Sequence, residues 1–173
     1  MKNKNITIFG TSKAAPGDWN YDTAYKLGQL LAEQGFTIVN GGYKGTMLAA
    51  AKGAQENNGK TIGVTCSLWS SKPNKYNTEI IRTDSLIERL NTLVDLADAY
   101  IVLPGSTGTL LELAHVWELK NKKFLASPKP LILAGNFWKP LVELIKTQAP
   151  EAHIHLLTID EPEKICQYLN DKL

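Results

Sequence analysis

Residues 99–112 read Ala-Tyr-Ile-Val-Leu-Pro-Gly-Ser-Thr-Gly-Thr-Leu-Leu-Glu. The run 99–103 is apolar, with no polar alternation beyond Tyr100, as expected of a strand covered on both faces. Pro104 and Gly105 end it, and a helical pattern opens at about 107 and continues to about 121. The connecting loop has glycines at 105 and 108, which let backbone N–H groups approach an anion with no Cβ in the way. Ser106, Thr107 and Thr109 add hydroxyl donors. The helix start adds unpaired N–H groups and the positive end of a dipole. Together these predict a phosphate cradle; the alternative is a tight strand-to-helix turn capped by Ser or Thr. Glu112 lies three residues after Thr109, in the first turn or so of the helix. One role open to it is to complement the helix dipole. The other is to present a carboxylate to a bound ligand: to contact ribose hydroxyls, orient water, or stabilise an oxocarbenium-like transition state.

The same strand-then-helix alternation extends in both directions. Towards the N-terminus, strands are predicted at 6–9, 36–39, 61–65 and 79–81. Helices are predicted at 20–34, 45–57 and from Asp84 or Ser85 to about 96. Ala24, Leu27, Leu30 and Leu31 share one face of the first helix, and Gly35 stops it. Small residues Ala49, Ala50, Ala51 and Ala54 let the second helix pack closely on a sheet. Ser85 and Glu88 have the spacing of a capping box. Residues 66–77 are rich in turn formers and read as an open loop. Beyond the central unit, strands at 130–134 and 155–158 alternate with helices at 137–147 and from about 161. No repeat, low-complexity segment or linker interrupts the pattern. The expectation is an α/β fold, Rossmann-like and doubly wound. It has a mainly parallel sheet of about six to seven strands with helices on both faces. It forms a single domain over residues 1–173.

Composition narrows the function classes. Hydrophobic residues make up 43% and charged residues 21%, ordinary for a soluble globular chain. A net charge of +2 gives little drive toward nucleic acid. No apolar run has the length of a signal peptide core or a membrane span, so a cytoplasmic location with no membrane partner is expected. Cys66 and Cys166 have no metal-ligand spacing and read as reduced thiols.

Ligands of such sheets bind at the carboxyl ends of the strands. Three glycine-bearing loops fall there: Gly10-Thr-Ser-Lys13, Gly41-Gly-Tyr-Lys-Gly-Thr46 and the 104–109 loop. The usual dinucleotide site is not indicated, because the first strand is not followed by G-x-G-x-x-G. The second strand also ends in Asn40-Gly-Gly instead of an acid, and no P-loop motif occurs. Arg89 sits mid-helix among apolar residues, either as a solvated surface arginine or as a guanidinium fork for phosphate or developing charge. His115 lies one turn past Glu112 but reads as a satisfied helix histidine. His153 and His155 lack a ligand cluster, so no metal is expected. Trp69 and Tyr76 either stack on a base or pack ordinarily. Trp117 and Trp138 read as packing residues, and the basic run 120–123 as a solvated helix end.

Taken together, the three loops resemble the LOG proteins, the cytokinin riboside 5′-monophosphate phosphoribohydrolases, often mislabelled lysine decarboxylases. Pro104-Gly-Ser-Thr-Gly-Thr-Leu-Leu-Glu112 matches their P-G-G-x-G-T-x-x-E signature at all but one fixed position. Gly10-Thr-Ser12 matches the first-strand motif, Gly41-Gly-Tyr-Lys-Gly-Thr-Met47 matches G-G-x-x-G-x-M, and Arg89 is the arginine that precedes the signature strand. The resemblance implies hydrolysis of a nucleoside 5′-monophosphate to free base and ribose 5-phosphate. It implies a homodimer or higher homo-oligomer, and no cofactor. Arg89 and Glu112 would be catalytic. Gly10, Ser12, Gly41, Gly42, Gly45, Met47, Pro104, Gly105, Ser106, Thr107, Gly108 and Thr109 would bind the ligand and its phosphate. No lysine suits a pyridoxal site. Two positions depart from the pattern: Ser106 replaces the second glycine, and Leu90 follows Arg89 where the hydrolases commonly carry lysine. Relatives of the same fold include molybdenum-cofactor carriers, which bind a phosphorylated pterin without hydrolysing it; a non-catalytic carrier is the alternative.

Overall fold

The computed structural model describes residues 4–125 and 127–173. Seven strands form one sheet: β1 (Asn5–Phe9), β2 (Thr37–Asn40), β3 (Thr61–Cys66), β4 (Glu79–Thr83), β5 (Ala99–Val102), β6 (Leu131–Ala134) and β7 (Leu157–Ile159). Their order is β4-β3-β2-β1-β5-β6-β7, and every neighbouring pair is parallel. Five helices connect strands, α1 (Trp19–Glu33), α2 (Thr46–Glu56), α3 (Leu86–Asp95), α4 (Thr107–Asn121) and α5 (Lys139–Lys146); a loop joins β3 to β4, and α6 (Pro162–Lys172) follows β7. This is the expected doubly wound Rossmann-like sheet.

Strand residues alternate between two buried faces because successive side chains point to opposite sides of a pleated strand. Ile6, Ile8, Ala99, Ile101, Ile132 and Ala134 share a core with α1, α2 and α6. Phe9, Tyr100, Val102, Leu131 and Leu133 share the other core with α3 and α4. The alanine-rich face of α2 has a second use besides sheet packing. At its crossing with α1, a Cβ on Gly28 would stand 2.1 Å from the Ala50 carbonyl oxygen, and one on Gly53 would stand 2.1 Å from that of Tyr25. Backbone therefore meets backbone there, and neither position admits a side chain.

Local signals set the helix ends. Ser85 Oγ accepts from the Glu88 N–H at 3.1 Å, and the Glu88 carboxylate accepts from the Asp84 N–H at 2.8 Å. The reciprocal cap expected from Ser85 and Glu88 is thus made, one residue wider than the standard box. Gly35 takes φ +81° beyond α1, the left-handed stop its position predicts. One element departs from expectation. The strand predicted at 155–158 begins later, because Ala152–His155 coil into a short 3-10 turn that hands over to β7. Backbone bonds from Ala152 to Ala149 and from Ile154 to Glu151 close that turn, and local hydrogen bonding wins over the apolar run.

The strand order positions the site. From β1 the chain winds out through β2 and β3 to β4, then returns to β5 beside β1 and winds the other way. Connections leaving β1 and β5 therefore diverge to opposite faces, and a crevice opens between their carboxyl ends.

Candidate functional site

A cleft of about 250 Å³ occupies this crevice. Gly10, Thr11 and Ser12 line it from the β1 loop, Tyr43 and Met47 from the β2–α2 connection, and Ser106, Gly108, Thr109 and Glu112 from α4 and its approach. Trp69 and Ser71 line it from the β3–β4 loop, and Arg89 from α3. The fold thus brings together Gly10, Ser12, Met47, Arg89, Ser106, Gly108, Thr109 and Glu112 of the expected residues. Gly41, Gly42, Gly45, Pro104, Gly105 and Thr107 do not line the cleft. Several of them build its frame: Gly45 lies against Thr11 and Ser12, and Gly105 against Thr109. The Thr46 N–H and hydroxyl both donate to the Thr11 carbonyl, at 3.0 and 3.1 Å, locking the first loop to the second.

The loop after β5 turns directly into α4. Ser106 occupies the position before the helix in extended backbone, and its side chain makes no capping hydrogen bond. Its hydroxyl is exposed at the cleft, so the reading as a turn with a Ser cap does not describe it. The first N–H groups of any helix lack intrahelical partners. Gly108 stands in α4 with no positive φ, and no atom lies within 4 Å of where its Cβ would be. The fold itself therefore has no need of glycine at this position.

Arg89 is 6% exposed, which overturns the solvated-surface reading. A buried guanidinium must have its donors filled. Nε donates to the Val64 carbonyl at 2.8 Å, and Nη2 to the Gly41 carbonyl at 3.1 Å. Nη1 faces the Glu112 carboxylate at 3.7 Å, an ion pair longer than a hydrogen bond. The guanidinium also lies 5.0 Å from the centre of the Trp69 ring and 5.8 Å from that of Tyr43, in cation–π range. Its seat depends on Gly41, where a Cβ would stand 2.0 Å from Nη2.

Glu112 is the sixth residue of α4, in its second turn, and the first turn carries no acid. The role of complementing the helix dipole falls away, since that effect fades beyond the first turn. Burial pushes its carboxyl up to about 7, against the opposing pull of Arg89. Burial likewise lowers the pKa of Arg89, with Glu112 opposing. The guanidinium still remains charged near neutrality.

Sequence reasoning missed Thr11, Tyr43 and Ser71, and an asparagine network behind them. Asn40 Oδ1 accepts from the Gly42 N–H at 2.7 Å, and its Nδ2 donates to Asn77 Oδ1 at 3.0 Å. Asn40 is thus committed inside the protein. Tyr76, read with Trp69 as a stacking candidate, lies outside the cleft lining, and so does His115. Trp117 and Trp138 pack as expected, and Trp138 Nε1 donates to the Leu103 carbonyl at 3.1 Å, fixing the exit of β5. Leu90, 4% exposed, does not line the cleft. No group of three His, Cys, Asp or Glu side chains suited to a metal occurs among the described residues. No helix among them is long and apolar enough to cross a membrane.

Fold and cleft together define a doubly wound α/β protein with a crevice at its strand-order reversal. The chain belongs to the SLOG cluster4 family, whose model matches residues 3–165. It is similar to an uncharacterized protein of Archaeoglobus fulgidus, 34% identical over 135 residues that cover 77% of this chain and 85% of that one. It is also similar to the cytokinin riboside 5′-monophosphate phosphoribohydrolase of Mycobacterium tuberculosis, 36% identical over 99 residues. That match covers 56% of this chain and 53% of the mycobacterial protein, about half its length. Among solved structures it is similar to the molybdenum cofactor binding protein of Rippkaea orientalis, with a TM-score of 0.82 and 27% identity over 99% of this chain and 98% of that one. The resemblance to LOG proteins carried by the three loops agrees with this family.

Proposed function

We propose that the protein hydrolyses the N-glycosidic bond of a nucleoside 5′-monophosphate, releasing the free base and ribose 5-phosphate. The observation that carries this reading is the Arg89–Glu112 pair, held at 3.7 Å in a cleft that opens on the start of α4. The 5′-phosphate rests on the free N–H groups at that helix start and on the Ser106 and Thr109 hydroxyls. Glu112, as carboxylate, faces the ribose and stabilises the positive charge that grows there as the bond to the base breaks. The bonding electrons leave with the base nitrogen, which takes up a proton. Water supplies the new C–O bond at the sugar and loses a proton. Arg89 holds the carboxylate in place and offsets negative charge beside it. The name of the mycobacterial relative supports the same chemistry.

The test is release of free base from a panel of nucleoside 5′-monophosphates, followed by chromatography. Base and ribose 5-phosphate are expected in equal amounts from at least one member. A panel that yields no base sinks the reading. Gly108→Ala tests the cradle separately. Because alanine is the better helix former by up to about 1 kcal/mol, melting temperature is expected to hold or rise. Affinity for AMP is expected to fall about tenfold or more, as the new methyl group fills the space left for the phosphate. Unchanged affinity by calorimetry would remove phosphate from this position.

A second reading is non-catalytic carriage of a phosphorylated cofactor. It is supported by the Rippkaea orientalis structure, similar over 99% of this chain at 27% identity. Mass spectrometry of ligand released from the purified protein decides it, with a pterin expected under this reading and none under the first.

A further inference from the structure

The proposed reaction uses Arg89, Glu112 and the cradle, but leaves Trp69 without a task. Its indole is 43% exposed although it lines the cleft. The loop that carries it is fastened at several points. The Trp69 N–H donates to the Cys66 carbonyl at 3.2 Å, the Asn74 N–H to the Gly42 carbonyl at 2.8 Å, and the Asn74 side-chain amide to the Tyr43 carbonyl at 2.8 Å. Tyr43 is pinned in turn, its hydroxyl accepting from the Cys66 N–H at 2.9 Å and donating to the Cys66 carbonyl at 3.2 Å. The Tyr43 and Trp69 rings meet at 5.4 Å with planes tilted by 55°. The Arg89 guanidinium lies 5.0 Å from the indole centre. The indole is therefore backed by a fixed ring and a fixed cation, while the rest of it opens to the cleft.

We infer that Trp69 is the base-recognition residue of this site, with the planar heteroaromatic base of the nucleotide stacking on its open surface. This rests on the nucleotide reading above. Aromatic stacking binds any base through its π-face, and a platform held in advance costs little ordering on binding. Thr11, Ser12 and Ser71, which line the same cleft, offer hydroxyls that can donate to or accept from the edge of a heterocycle. Base binding of this kind also supplies remote binding energy for cleavage of the glycosidic bond.

The experiment is calorimetric binding of AMP and of ribose 5-phosphate, which lacks the base. It is done in a Glu112→Gln background so that the nucleotide survives. Trp69→Ala is expected to weaken AMP by about tenfold to a hundredfold and to leave ribose 5-phosphate within about twofold. Trp69→Phe, which keeps a ring, is expected to restore most of the AMP affinity. Equal weakening of both ligands by Trp69→Ala would mean that the indole only supports Arg89, and unchanged AMP affinity would mean that no base stacks on it; either overturns the inference and leaves the nucleotide reading standing. A Trp69-containing protein that binds neither compound overturns that reading and this inference with it.

Discussion

Glu112→Gln is expected to lower kcat/KM for nucleotide cleavage by about a hundredfold or more, the usual scale for removing a group that stabilises transition-state charge. The substitution keeps the shape of the side chain and removes its charge, so folding is expected to survive. The pH dependence sharpens the test. Burial raises the Glu112 carboxyl to about 7 from an ordinary 4.5. Only the ionised form stabilises positive charge on the sugar, so the rate is expected to rise with pH through about 7 and then level off. Stability runs the opposite way. A carboxyl whose folded-state pKa is raised contributes stability below its unfolded value, near 4.5, and loses it as pH rises through about 7. A shift of this size corresponds to about 3 kcal/mol. Glu112→Gln should therefore match the parent in stability at acid pH and exceed it at pH 8, measured by urea unfolding. Activity kept within a few-fold of the parent at pH 8 would take from Glu112 the role assigned to it.

How far the sequence carried the fold depends on whether a feature is local. The bounds of α4 at Thr107–Asn121 coincide with the predicted helix because a proline, two glycines and hydroxyl residues mark its start. Ser85 and Glu88 lie within one turn, and their cap was equally legible. The parallel sheet was legible because central strands such as β5 and β6, buried throughout, are too apolar for an exposed face. The site was legible where a motif is contiguous, as at 104–112, and hidden where it is assembled across the sheet. Tyr43 meets Cys66 across 23 positions, and Asn40 meets Asn77 across 37. Nothing in either local stretch marks such a pair. Arg89 shows the same limit. Its own helix turn favours a solvated arginine, and only the carbonyls of Val64 and Gly41, on two other segments, explain its burial. The 3-10 turn at 152–155 escaped notice because Ala-His-Ile-His carries no proline or glycine, and its last residue, His155, runs straight into the strand-like Leu-Leu-Thr.

Gly41→Ala is expected to be nearly as damaging as loss of Arg89 itself, although it adds one methyl group at a position that touches no ligand in the proposed reaction. Gly41 does not have a positive φ, so the backbone accepts alanine. The obstacle is the side chain of Arg89, with Nη2 at 2.0 Å and the Met47 sulfur at 2.6 Å from the new Cβ. The guanidinium must move. It then loses the Gly41 carbonyl, and its 3.7 Å approach to Glu112 changes with it. Overpacking costs about 1–3 kcal/mol, and a lost hydrogen bond to a charged group about 1.5–3 kcal/mol. A fall in urea midpoint is expected together with a loss of kcat/KM of about tenfold to a hundredfold. Removing the nearest cation takes away the influence that holds the Glu112 carboxyl down, so the acid limb of the pH–rate profile should move above 7. A double-mutant cycle makes the cause explicit. In an Arg89→Ala background the guanidinium is gone, and Gly41→Ala should then cost little more in rate, so that the two losses fall far short of adding. Full additivity, or an acid limb that stays where it was, would show that the glycine protects something other than the seat of Arg89.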